Sequence, residues 1–180
     1  RDDGTMVGSC STAGRYGTAL AIYEGADELF LLQTSSSSSY RKIVGFSTSN
    51  LATNGKSISY GSGVSSWYYS QDIDVDESTG DVYIVYREYQ GRLRAYERGT
   101  DGSYCASTSC YTQVYTGARY TTSVDVHEDY VYTAGYYYSS WYGGMKKMPT
   151  SSLSSITTLW GSFTQGTYKG SVAVTDSEDI

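Results

Sequence analysis

The sequence predicts an all-β fold built from a repeated unit of four short antiparallel strands. The first observation behind this is a recurring pattern, a Val-Asp-Val type strand, a turn and a Val-Tyr type strand. It aligns Ala21-Ile22-Tyr23 with Glu28-Leu29-Phe30, Asp74-Val75-Asp76 with Asp81-Val82-Tyr83, Asp125-Val126-His127 with Tyr130-Val131-Tyr132, and Ala173-Val174-Thr175 with Asp179-Ile180. Ile22, Val75, Val126 and Val174 are thus separated by 53, 51 and 48 residues. The second is composition: 21 Tyr and 1 Pro in 180 residues, with Ser, Thr and Gly filling most gaps, favour strands and tight turns over helices. The third is period-two alternation of polar and apolar residues through the recurring segments.

The second copy is the template. Asp72 to Asp76 alternates as a strand, Glu77-Ser78-Thr79-Gly80 is a hairpin connection, and Asp81 to Arg87 returns. Gln90-Gly91 then turns the chain into Arg92 to Glu97, and Arg98 to Gly102 leads through a cysteine loop to Tyr111 to Tyr115. The third copy gives Ser123 to Val126, Tyr130 to Tyr136, Gly144 to Met148 and Ile156 to Trp160. The first gives Ala19 to Tyr23, Glu28 to Gln33, Lys42 to Ser47 and Ser57 to Tyr60. Four strands per unit at a period near fifty is how propeller blades read in sequence. The expected organisation is a lead-in over 1–17, blades over 18–66, 67–119 and 120–169, and the start of a fourth over 170–180.

Ser123-Val-Asp-Val-His-Glu-Asp-Tyr-Val-Tyr-Thr-Ala-Gly-Tyr136, followed by Gly144-Met-Lys-Lys-Met148, resembles the bacterial-type beta-propeller repeat. The second copy resembles NHL and pyrroloquinoline-quinone-type blades. The resemblance covers about residues 18 to 180 and implies four-stranded blades around a channel; it brings no catalytic motif. Three units and the opening of a fourth make a partial or open propeller with exposed strand edges. A longer chain is the first explanation. Completion by other copies through strand addition is the second, and an open solenoid in a filament the third.

A hydrophobic content of 39% suits a globular chain. The formal charge of −6 speaks against a nucleic-acid partner, which needs clustered Lys and Arg. No apolar run is long enough to span a bilayer. Arg1-Asp2-Asp3-Gly4 is not a signal peptide, and the missing initiator Met points to a processed chain or a segment of a longer one. Cys105 and Cys110, five apart in a Ser/Thr-rich loop, suit a disulfide rather than a zinc or redox pair. Cys10 then has a partner outside the chain, bridges to another subunit, or is buried and inert. An oxidising, extracellular or cell-surface setting fits best.

Asp72, Asp74 and Asp76, with Glu77 and Asp81, are the densest acidic cluster; Asp72, Asp74 and Asp76 are weak calcium candidates, and a calcium site with carboxylates gathered from neighbouring blades stays open. An EF-hand is excluded, because Glu77 stands where Gly is needed and Tyr83 where Glu is needed. The plain alternative is that these carboxylates are solvated or bonded to neighbouring turns. No cofactor is expected. His127, the one histidine, falls at a variable blade position matched by Tyr23, Asp76 and Thr175, so catalysis through it is not expected. The serine run Ser35, Ser36, Ser37, Ser38, Ser39 is a flexible tip or an O-glycosylation site.

Trp67, Tyr68 and Tyr69, and Tyr136, Tyr137 and Tyr138 with Trp141 and Tyr142, are aromatic runs. Strand alternation exposes half of each, to stack on sugar rings, pack on another subunit, or cover sheet faces. The function expected from all this is a non-catalytic extracellular structural or interaction protein. It would assemble with itself or with neighbouring domains through strand edges and Tyr-rich faces, into a filament or surface appendage. A glycan-binding propeller is the alternative, and a fragment of a propeller enzyme a further one.

Overall fold

A computed structural model describes residues 16–34, 41–60, 70–86, 91–104, 110–118, 120–136, 143–160 and 172–175. Twelve strands form three separate four-stranded antiparallel sheets, each a simple meander. Blade 1 holds β1 (Tyr16–Tyr23), β2 (Glu28–Thr34), β3 (Lys42–Ser47) and β4 (Thr53–Ser59). Blade 2 holds β5 (Ser70–Val75), β6 (Val82–Tyr86), β7 (Arg92–Tyr96) and β8 (Thr112–Tyr115). Blade 3 holds β9 (Tyr120–His127), β10 (Tyr130–Tyr136), β11 (Gly143–Pro149) and β12 (Thr157–Trp160). The order agrees with the one expected; β3 and β10 coincide with it at both ends, and elsewhere boundaries differ by up to four residues, most at β4, whose start at Thr53 precedes the expected Ser57.

The hairpins that join first and second strands follow from local chemistry. Between β9 and β10 only Glu128 and Asp129 intervene, and Glu128 takes φ 51°, the left-handed conformation that a tight hairpin needs. Between β5 and β6 the Asp76 carboxylate accepts from the Ser78 amide at 2.8 Å and its hydroxyl at 2.6 Å, an Asx turn that fixes the loop. Gly91 opens β7 with φ 54°, and a Cβ there would lie 2.2 Å from the Ala118 carbonyl oxygen. Only glycine tolerates that position.

A bulge recurs in every first strand. The register skips Thr18 in β1, Gln71 in β5 and Thr122 in β9, each opposite a continuous second strand. The skipped residues keep the 53- and 51-residue repeat spacing. An extra residue bends and twists the strand locally, and these bulges repeat with the blade as built features.

Blades stack face to face, so a middle strand is apolar on both sides. All five residues of β6 are buried. Tyr86, Ile84 and Val82 join Phe30, Leu32, Ile43 and Ile58 of blade 1 in one core. Tyr83 and Val85, on the other face of β6, join Val124, Val131, Met148 and Leu153 around blade 3. Tyr132, Ala134 and Met145 of blade 3 then pack against Val172. Each buried aliphatic side chain contributes about 1.5–3 kcal/mol, so these interfaces carry most of the cohesion between sheets.

The interface between blades 1 and 2 contains a fully buried cation. Arg94 donates from Nε to Gln113 Oε1 at 2.9 Å and from Nη1 to the Tyr60 carbonyl at 2.9 Å. Its guanidinium lies 4.0 Å from the Tyr111 ring centre and 4.9 Å from that of Tyr86. Aromatic faces and oriented dipoles replace the water it has lost. Replacing Arg94 by Ala removes two charge-assisted bonds and opens a cavity. The expected loss is roughly 3–5 kcal/mol of stability, measured by urea denaturation against wild type.

Candidate functional site

The polar chemistry of the chain concentrates where first strands meet. β5 packs against β1 on one side and β9 on the other. A first strand is the edge of its own sheet, so alternate amides along it point away from the second strand and need other acceptors. Asp72 and Asp74, two apart on one face of β5, supply them. Asp72 Oδ2 accepts from the Val124 amide at 3.1 Å and the Ser123 hydroxyl at 2.9 Å. Asp74 Oδ2 accepts from the Val126 amide at 2.6 Å.

The same carboxylates also serve their own strand. The Ile73 amide donates to Asp72 Oδ1 at 3.1 Å, and the Val75 amide bonds to Asp74. Each aspartate therefore ties its own blade to the next. The arrangement repeats one blade on: Ser123 Oγ accepts from the Val172 amide at 3.2 Å, and Asp125 Oδ2 from the Val174 amide at 2.9 Å.

The remaining acids of the cluster also meet backbone. Asp76 caps its hairpin, Asp81 accepts from the Arg98 amide at 2.8 Å, and Glu77 accepts from the Glu24 amide of blade 1 at 3.2 Å. Of the calcium candidates, the structure turns Asp72 and Asp74 toward blade 3 and Asp76 into its own loop. Among the described residues no group of three or more His, Cys, Asp or Glu could hold a metal ion.

Sequence reasoning named these aspartates but assigned their partners to neighbouring turns or water, and it missed the bond to the next blade. The signal was present in the repeat alignment, which sets Ser123 and Asp125 at the positions of Asp72 and Asp74.

Burial governs the protonation of Asp74 and Asp125. Loss of water pushes Asp74 up to about 7, with repulsion from Asp125 and Asp72 added, against the amide bonds from Val126 and Val75. Burial raises Asp125 too, opposed by the Val174 amide and by His127. His127 is half-buried, and its Nε2 meets no hydrogen-bond partner among the described residues. It sits in a cleft of about 240 Å³ with Asp76, Glu77, Ser78, Glu128 and Asp129. A larger cleft of about 550 Å³ lies over β7 and β8, lined by Glu97, Arg98, Ser103, Cys110 and Tyr111.

Cys110 is disulfide-bonded. Cys105 and Cys10 lie outside the described residues, as do Trp67, Tyr68, Tyr69, Tyr137, Tyr138, Trp141, Tyr142 and Ser35 to Ser39. Tyr136 is buried, its ring 5.0 Å from that of Tyr120, which places it in packing rather than on a surface. The exposed described aromatic is Tyr115, on the outer strand of blade 2, with the Arg92 guanidinium 5.0 Å from its ring centre. No described helix is long and apolar enough to cross a membrane.

With three stacked four-stranded antiparallel sheets, the chain is an all-β protein with a propeller-like array of blades. No family model matches the sequence, and no curated protein matches it. Among solved structures, a chain in the crystal structure of a nidogen/laminin complex is similar, with a TM-score of 0.58 at 9% identity. The match covers 81% of this chain and 48% of that one, so this chain spans about half the length of its structural neighbour. At that identity the likeness is one of fold.

The pH dependence of stability follows from Asp74. Its folded value of about 7 lies above the ordinary carboxylate value of 3.8, so the folded state holds this proton more tightly than the unfolded state. The contribution is complete below pH 4 and is lost as pH rises through 7. Asp74→Asn keeps an acceptor for Val126 without the charge. It is expected to flatten the fall in melting temperature between pH 4 and 8 and to raise stability at pH 8 by roughly 1–2 kcal/mol, allowing for partial solvent screening. Scanning calorimetry across that range reads both effects.

Proposed function

We propose that this chain is a non-catalytic extracellular interaction module, a propeller-like scaffold that presents blade edges and Tyr-rich surfaces to protein partners. The observation that carries the reading is the use of the acids. Asp72, Asp74, Asp76, Asp81 and Asp125, the carboxylates a channel enzyme would draw on, all accept backbone amides that hold blades and hairpins together. A general acid or base needs a carboxyl free to exchange its proton with substrate, and these are engaged in structure.

Further support comes from the disulfide at Cys110, which suits an oxidising compartment. The exposed Tyr115 with Arg92 pairs two residue types enriched at protein interfaces. The structural neighbour was solved as a nidogen/laminin complex, an assembly of proteins.

The test is biolayer interferometry of the immobilised chain against a panel of extracellular matrix proteins, with a glycan array and a hydrolase substrate panel in parallel. The expected result is saturable binding to at least one protein with Kd of about 1 µM or tighter, and no turnover. Turnover of a substrate that disappears in Asp125→Asn would overturn the reading, and binding confined to glycans would replace it.

A further inference from the structure

Beside the outer strand of blade 2, the joint between blades 2 and 3 opens into a cleft of about 470 Å³. Its floor is the blade 3 face of the second sheet, with Tyr83 from β6, Ala95 from β7 and Val114 from β8. Residues 150–154, between β11 and β12, form the opposite wall. At one end stand Asp81 and Glu97. Asp81 precedes Val82 and Glu97 follows Tyr96, and Val82 and Tyr96 are partners in the ladder, so the two acids are neighbours across it.

Like charges set opposite each other in an antiparallel pair repel. Asp81 Oδ1 accepts from the Arg98 amide at 2.8 Å. Its other oxygen and both oxygens of Glu97 take part in no hydrogen bond or ion pair among the described residues. Arg98, the residue after Glu97, turns to the opposite face, where its guanidinium lies 5.3 Å from the Tyr23 ring centre of blade 1. The acidic pair thus meets the cleft without a counter-charge.

An independent observation falls in the same place. Tyr83 is only 2% exposed, yet its hydroxyl makes no hydrogen bond among the described residues and is not one of the polar atoms sealed from solvent. The oxygen opens into the cleft that its ring lines. Burial and the charges of Asp81, Asp76 and Glu97 all raise its pKa, so it keeps its proton and stands in the field of three carboxylates. Buried polar side chains are ordinarily bonded. Here the phenol oxygen and the carboxylates form one set of unused acceptors.

Such a set calls for a cation with several donors. A guanidinium carries them in a fixed plane and reaches separated acceptors better than an ammonium does. The volume lies at the small end of the range for ligand pockets and suits one long side chain, whose methylene stem would run along Ala95, Val114 and Leu153. A neutral glycan would leave both charges unmatched. We propose that this cleft receives an arginine side chain of a protein partner, its guanidinium donating to Asp81 and Glu97 and to the Tyr83 hydroxyl. The inference deepens the interaction-module reading by giving the chemistry of the partner, and it rests on that reading.

The probe is the peptide Gly-Ser-Gly-Arg-Gly-Ser-Gly, with a counterpart carrying citrulline in place of arginine, titrated into the isotope-labelled chain and followed by NMR. The arginine peptide is expected to bind saturably with Kd of about 1 mM or tighter, shifting the Tyr83, Thr112 and Ser152 amides most. Citrulline, of the same shape without the charge, is expected to weaken binding by about tenfold or more. Glu97→Gln weakens it about fivefold and Tyr83→Phe about threefold, the latter with an unchanged melting temperature because the lost hydroxyl held no partner. Asp27→Asn, which removes one charge from an exposed turn of blade 1, leaves the affinity as it was. No saturation by about 10 mM, equal affinity for the two peptides, or indifference to both Glu97→Gln and Tyr83→Phe overturns the proposal. If Tyr83→Phe lowers the melting temperature by more than about 4 °C, the hydroxyl is structural, and Glu97→Gln with the citrulline peptide decides. An oligosaccharide that shifts the same amides when the arginine peptide does not overturns the proposal in favour of a glycan site. A chain that binds a matrix protein but no arginine peptide loses this inference and keeps the interaction-module reading.

Discussion

From blade 2 onward the array depends on one interaction, an aspartate side chain that accepts a backbone amide from the strand beyond. Hydrogen-bonded sheets satisfy themselves everywhere except at their edges, and stacking blades places those edges inside the structure, where water is scarce. Asp72 and Asp74 resolve the difficulty by accepting both from the strand that carries them and from the strand beyond. Without such acceptors the inward amides of β9 would be buried and unsatisfied, at about 1–3 kcal/mol each. The cost of the device is a carboxylate held partly out of water, which is why Asp74 resists ionisation.

The joint between blades 1 and 2 is built differently, because β1 offers Ala19 and Ala21 where β5 offers Asp72 and Asp74. The Ile73 amide turns to its own strand's Asp72 instead. Apolar packing fills the interface around Phe30, Leu32 and Ile84. Arg94 reaches across to the Tyr60 carbonyl, and the Arg98 guanidinium lies 5.3 Å from the Tyr23 ring centre. Two solutions to one geometric problem therefore sit side by side in a single chain.

Much of this was legible in the sequence. The period and the alternation gave the strand order, since a strand buried on one face must repeat every two residues and a blade every fifty or so. The bulges at Thr18, Gln71 and Thr122 were not legible, because a bulge leaves no residue signature when the inserted position is an ordinary polar one. The partners of Asp72 and Asp74 escaped for a related reason. Apart from the Ser123 hydroxyl they bond to main-chain amides, which every residue carries, so only the repeat alignment of Asp72 and Asp74 with Ser123 and Asp125 hints at the joint. Arg94 escaped because alternation alone would place it on a wet face, whereas Tyr86 and Tyr111 enclose it.

The anonymity of those acceptors has a consequence for how such a chain can change. A clasp that reads only main chain places no demand on the identity of the residue it holds. The donor strand must keep its acceptors, carboxylate or hydroxyl, while the amides they hold ask of the recipient strand only its direction and its pleat. The four residues held in this way, Val124, Val126, Val172 and Val174, are gripped through their amides alone, so a change of side chain leaves the grip in place. A gene segment encoding a single unit could be duplicated, exchanged or lost with the joints still closing, which makes the blade, rather than the chain, the natural unit of inheritance.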